Sequence, residues 1–488
     1  MRTMKRTLLM LLLVNLILTA CAPASAPTST PAPSATSLPT ATTAPTNTAI
    51  PTATPTPIPT IQVGDLYVPD PRVTNPELFD LQKPEAPIPQ FANAFGVKPE
   101  DVVSGLHIQI ETPDGLPPFV VLRTTNNYKS VALMIAQQNA EGKWQWSEAT
   151  IANYWRAYNR DIGVYVNTEQ LGDPVSQKII KRYFKNGLLA WGGDFSNTYN
   201  ANRLEAEASY LNASYLGIAV AEPGHFPKDV NVTNIDQWLN QRLTNIAQLI
   251  KNKKPTGRPT YVNFNEAWGE THGWNPESNP LRNKYGDNNW LSEYIYRIVL
   301  IFVDQELTPN KDFIIMFNDA RLYNRPNKQD YIFNSLLKAR QDAFDKLMAD
   351  PRIKQKLNEM GIESQNDIQI ILGSETHTKL GSNEDDVNFW PTPTAEKIEN
   401  LAKKFEPLGG VLITEINPFG NLKQREEFLK LLNNSIKTPG IRGLLFWNVL
   451  KNSDVGNPKY PLLADPLTLF NEDGSPTPLY YELLSNSQ

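Results

Sequence analysis

Eight short apolar runs recur along the last two thirds of the chain, and this recurrence limits the fold more than any other feature. They are "DIGVYV" (Asp161–Val166), "GLLAW" (187–191), "LGIAVA" (216–221) and "TYVNF" (Thr260–Phe264), followed by "DFIIMF" (312–317), "IQIILG" (368–373), "GGVLIT" (409–414) and "GLLFW" (443–447). Runs this short and this rich in Val, Ile, Leu and aromatic residues read as strands buried on both faces. The stretches between them are amphipathic. In "DPVSQKIIKRYFKNG", Asp173 can cap a helix and Pro174 occupies its first position; Val175, Ile179 and Tyr183 share one face, and Asn186-Gly187 ends it. Buried strands alternating with helices eight times over predict an α/β fold, a (β/α)8 TIM barrel. A doubly wound open sheet is the alternative, but it more often carries a Gly-rich phosphate turn after its first strand, and "VYVNTEQLGD" has none.

The barrel is expected over 146–486, preceded by a small β-containing region over 62–145. There "LHIQIET" alternates in polarity, "FVVLRTT" follows a "PDGLPP" turn, and "ALMIAQQNAEGKWQW" reads as two strands about "NAEG". Residues 21–61 are nearly all Ala, Pro, Ser and Thr, a composition that cannot bury enough apolar surface to order itself, and they form an expected disordered, extended tether. Residues 1–20 combine a positive start, an apolar run too short to span a bilayer and small residues before a cut, as secretory signals do. The cut at "LTAC" resembles the lipobox of bacterial lipoproteins. That resemblance implies a lipidated Cys21 and a protein held to the membrane by its lipid anchor at the bacterial cell surface.

Cys21 is the only cysteine of the 488 residues, so no intrachain disulfide can form. The formal net charge is −5 with both signs interspersed, which argues against a nucleic-acid partner. His107, His225, His272 and His377 show no metal-ligand spacing, and neither metal nor cofactor is expected. A monomer is expected.

Barrel chemistry gathers at the strand C-terminal ends. Glu266 lies just past "TYVNF", Asn318 ends "IIMFN", His377 follows "ILGSE", Glu415 ends "GGVLITE" and Trp447 ends "GLLFW". Strands four and seven lie nearly opposite one another in a ring of eight, so two carboxylates can face each other across the mouth, as glycoside hydrolysis needs.

Over 146–484 the chain resembles a divergent family-10 glycoside hydrolase, the endo-1,4-β-xylanase family. "NFNEAW" resembles its acid/base motif, with Asn265-Glu266 as the Asn-Glu pair and Tyr261 where Trp is common. "LGSETHT" resembles its Gly-x-Gln-x-His strand, with Glu375 at the Gln and His377 at the His. "GGVLITEI" resembles its nucleophile strand, and "PLLADPLTLFNEDGSPTPLYYELL" its ending. The resemblance implies a retaining hydrolase of β-linked polysaccharide, xylan or a related β-1,4-glycan, with Glu415 as nucleophile and Glu266 as acid/base. Asn265 would bond the sugar 2-OH, His377 would keep Glu415 ionised and Trp447 would floor the sugar site, with Asn318, Glu222 and Tyr261 as further substrate contacts.

The family's second strand ends in Thr-Pro-Glu-Asn, whereas this one has Ala190 and Trp191 at the last two places, with Asp194 or Asn197 as possible substitutes. Its third strand ends in Trp-His, and Glu222 stands at the His. These changes motivate an alternative, a non-catalytic glycan-binding lipoprotein on a decayed barrel; a transglycosylase of envelope polysaccharide is a third reading. The joint presence of Glu266, Glu415 and Asn265 favours the enzyme.

Overall fold

The computed structural model describes residues 58–126, 129–166, 172–185, 187–191, 215–221, 226–252, 258–265, 267–268, 279–287, 289–320, 322–376, 394–416, 429, 432–446 and 469–486. All lie in the unit Pro57–Gln488. The expected signal peptide and Cys21 fall outside the described residues, as does most of the tether.

The chain enters through a hairpin of β1 (Thr60–Val63) and β2 (Leu66–Pro69), so ordered structure begins within the stretch read as tether. An antiparallel sheet follows, of β3 (Leu106–Glu111), β4 (Phe119–Asn126), β5 (Lys129–Gln138) and β6 (Trp144–Glu148). The "NAEG" turn closes because the Asn139 side chain accepts from the backbone N–H groups of Glu141 at 3.0 Å and Lys143 at 2.9 Å. β6 runs past residue 145, so the expected boundary cuts a strand.

Eight parallel strands then close a barrel: β7 (Asp161–Val166), β8 (Leu188–Trp191), β9 (Tyr215–Ala221), β10 (Thr260–Phe264), β11 (Phe313–Ala320), β12 (Ile370–Glu375), β13 (Val411–Ile416) and β14 (Ile441–Phe446). β14 pairs back onto β7 and completes the ring. At that seam Gly443 leaves room for the neighbouring backbone, since a Cβ there would lie 1.8 Å from the Asp161 carbonyl oxygen. Successive side chains alternate between two cores. Leu188, Tyr261, Ile314, Met316, Ile371, Leu412 and Leu445 fill the barrel interior. Their neighbours, such as Val262, Phe264, Ile315 and Ile413, face the surrounding helices. The helix Pro174–Tyr183 is capped as the sequence predicts, with the Asp173 carboxylate accepting the Ser176 N–H at 2.7 Å.

The last described strand, β15 (Ser485–Asn486), leaves the barrel and pairs with β5. The Leu484 carbonyl accepts the Ala132 N–H at 2.9 Å and Arg123 Nη1 at 3.2 Å. Arg123 is fully buried, ion-paired with Glu111, and donates to the Tyr154 hydroxyl at 2.7 Å. Tyr158 donates to the same Glu111. The N-terminal sheet, the helix Ile151–Ala157 that leads into β7 and the Leu484 carbonyl thus meet at one buried ion pair.

Candidate active site

Asn318 joins four strand ends at the mouth of the barrel. The sequence reading has Asn318 end its strand, but β11 continues through Ala320 and pairs Asn318 with Gly373 of β12. The Asn318 amide nitrogen donates to Asn265 Oδ1 at 2.7 Å and to Glu375 Oε1 at 2.8 Å. Its oxygen accepts from Thr414 Oγ1 at 2.6 Å. The side chain fits because Gly373 has none: a Cβ there would sit 2.4 Å from Asn318 Oδ1. Asn318 has no exposed surface, Glu375 is 1 % exposed and Thr414 is buried, so low local polarity strengthens each bond.

Asn265 is half-buried, and its oxygen also accepts from Asn263 at 3.3 Å, two residues back on the same strand face. Beyond it the chain is tied to β11 twice more. The Ala267 N–H donates to the Asn318 carbonyl at 3.3 Å, and the Trp268 N–H to Asp319 Oδ2 at 2.9 Å. Asp319 is buried and also bonds Lys328 Nζ at 3.0 Å. Glu266 itself lies outside the described residues, but the residues on both sides of it are anchored to Asn318.

On β13 the pairing with β14 shifts between Ile413 and Ile416, a bulge that places both isoleucines in the outer core with Thr414 and Glu415 between them. The backbone of Glu415 belongs to the strand, while its side chain is not among those described. Thr414, immediately before it, is the residue bonded to Asn318. His377, Trp447 and Glu222 lie outside the described residues; the chain leading to His377 is fixed by Glu375 and by the Thr376 N–H, which donates to the Thr414 carbonyl at 2.9 Å.

Two expected substrate contacts are corrected. Asn318 is enclosed and its polar atoms are engaged by Asn265, Glu375 and Thr414, so it positions neighbours instead of meeting a sugar. Tyr261 is at the opposite end of the barrel, near the start of β10, where its hydroxyl donates to Asp161 Oδ2 at 2.7 Å. Burial, and then the Asp161 charge, raise its pKa well above the ordinary 10.0, which keeps it a donor. The sequence reading missed the linking roles of Gly373, Thr414 and Asp319. "GSE" and "TE" each carried a polar residue at an inward position of a buried run, which is the signal that was available.

No protein-family model matches this sequence, and no curated protein matches it. Solved structures do resemble the chain. Xylanase 10B from Thermotoga petrophila RKU-1, in complex with xylobiose, shows 13% identity over 69% of this chain and 96% of its own, with a TM-score of 0.45. A xylanase from Bispora sp. MEY-1 with xylobiose shows 13% identity over 69% and 99%, with a TM-score of 0.47. A structure of fungal β-1,4-galactanases gives 14% identity over 71% and 93%, with a TM-score of 0.37. At these values what those proteins bind or cleave does not transfer to this chain.

Proposed function

We propose that the chain is a retaining glycoside hydrolase of β-linked polysaccharide, xylan or a related β-1,4-glycan. The observation that carries this reading is the Asn318 network. One buried amide holds Asn265, next to Glu266, and Thr414, next to Glu415, at the C-terminal ends of β10 and β13. Rigid support of this kind is what two carboxyl groups need if they are to flank a bond at about 5 to 5.5 Å.

In the first step the Glu415 carboxylate forms a bond to the anomeric carbon as the glycosidic C–O bond breaks, and Glu266 gives its proton to the leaving oxygen. In the second, Glu266 takes a proton from water, the water oxygen bonds the anomeric carbon, and the bond to Glu415 breaks. Release of reducing sugar over a panel of β-1,4- and β-1,3-glycans tests the reading. Hydrolysis of at least one β-1,4-glycan is expected. Binding of glycans without any hydrolysis would favour the non-catalytic alternative and overturn this one.

The leader and tether extend the proposal to a lipid-anchored surface enzyme, which acts as a monomer. Cys21→Ser should move the protein out of the membrane fraction, and persistence there would contradict the anchor.

A further inference from the structure

The arc from Phe264 to Trp268 carries Glu266 at its centre, and both ends of the arc rest on one side chain of the next strand. The Phe264 and Trp268 rings lie 6.4 and 5.9 Å from the Phe317 ring of β11, centroid to centroid. Two residues further along β11, on the same face of the strand, Asp319 takes the Trp268 N–H at 2.9 Å through Oδ2. Its other oxygen, Oδ1, accepts from Lys328 Nζ at 3.0 Å. The Asp319 side chain is 1 % exposed and that of Lys328 9 %. Ring contact and hydrogen bond thus fix the same residue, Trp268, to the same strand.

Stability alone does not explain a charged pair at this point. Taking a carboxylate and an ammonium out of water offsets most of their attraction. Lys328 is the third residue of the helix Pro326–Met348, where a cation opposes the helix dipole. What the pair supplies is direction. A carboxylate held on one oxygen by an ammonium presents the other to the Trp268 N–H in a charge-assisted bond. On the near side of Glu266, Asn265 is held by the neutral Asn318 amide at 2.7 Å, so the chain is tied to β11 both before and after the carboxylate.

We infer that Asp319, held by Lys328, is a positioning residue for the proton transfer assigned to Glu266: it fixes the chain beyond the acid so that the carboxyl group meets the leaving oxygen. The inference rests on the reading of Glu266 as acid/base. Misplacement by about 1 Å costs on the order of a hundredfold in a step that needs alignment. The clamp acts on the chain after β10, whereas Glu415 belongs to β13, so its loss should fall on proton delivery and spare attack on the sugar.

The test compares kcat/KM for phenyl and 2,4-dinitrophenyl β-glycosides of the disaccharide unit of whichever β-1,4-glycan the parent hydrolyses. Phenolate needs a proton to depart, and dinitrophenolate does not. Asp319→Asn keeps the shape but turns an NH2 group toward one of two donors, the Trp268 N–H or Lys328. Asp319→Leu combined with Lys328→Met removes both charges of the pair and takes the acceptor from the Trp268 N–H. Apolar replacement of a whole buried pair is well tolerated, so this variant remains a test if the first fails to fold, and thermal unfolding reports the fold of each. Folded variants should lose about tenfold or more on the phenyl glycoside and less than about threefold on the dinitrophenyl one. Glu266→Ala is the control and should show the same split, larger. A control that loses both substrates alike would remove the acid assignment, and this inference with it. A control that splits, beside folded variants that lose both substrates alike or neither, would overturn the inference and leave Glu266 as the acid.

Discussion

At Asn318 two acceptors face one nitrogen: Asn265 Oδ1 and Glu375 Oε1 both need a donor there. Asn318→Asp keeps the shape and replaces that donor with oxygen, leaving a buried carboxyl group against two acceptors. The substitution should lower stability by about 3 kcal/mol or more, the order of cost for an uncompensated buried charge, and should reduce kcat even where the fold survives. Urea unfolding together with steady-state kinetics measures both, and a variant with parental stability would contradict the network. This role was not legible in the sequence, because it depends on the register that sets Asn318 beside Gly373 and inside β11. Glu266, Asn265 and Glu415 stood out because each ends an apolar run. Tyr261 was misassigned because it shares a motif with Asn265. Four strand residues amount to about 13 Å of rise, enough to carry a side chain from one end of the barrel to the other.

Among the elements, the eight barrel strands were readable because burial on both faces leaves an uninterrupted apolar run, and β7 and β10 begin and end where the runs do. β11 extends past its apolar run because Asn318 and Asp319 have partners inside the fold, which no local pattern reports. Helix Pro174–Tyr183 was readable from its cap. Asp173→Ala should destabilise by about 1 kcal/mol or less, since the group is partly exposed and solvent screens it. The Ser176 N–H and hydroxyl hold the Asp173 carboxyl below its ordinary value of 3.8. Its contribution is therefore complete above that value and fades as pH falls through the lowered one. Thermal midpoints of parent and variant should converge as pH falls through that range, and a gap independent of pH would contradict this account.

Across the whole molecule, the return of β15 to β5 joins chain end and N-terminal sheet, a pairing that two short residues could not announce in advance. Glu111, Arg123, Tyr154 and the Leu484 carbonyl meet there. Sheet and barrel should accordingly unfold together in one thermal transition. Glu111→Ala, which leaves the Arg123 charge buried without its carboxylate, should cost about 3 to 5 kcal/mol and shift that single transition. Two separated transitions in calorimetry of the parent would show that the sheet and barrel are energetically independent.

The central claim is that Glu415 attacks the sugar and carries it. A 2-deoxy-2-fluoro β-glycoside with an activated leaving group slows breakdown of the intermediate more than its formation, so the adduct accumulates. The account predicts one added glycosyl mass on the intact protein, located by peptide mapping at Glu415 and absent from Glu415→Ala, with hydrolysis products of retained β configuration. A label on any other carboxylate, or products of inverted configuration, would contradict it.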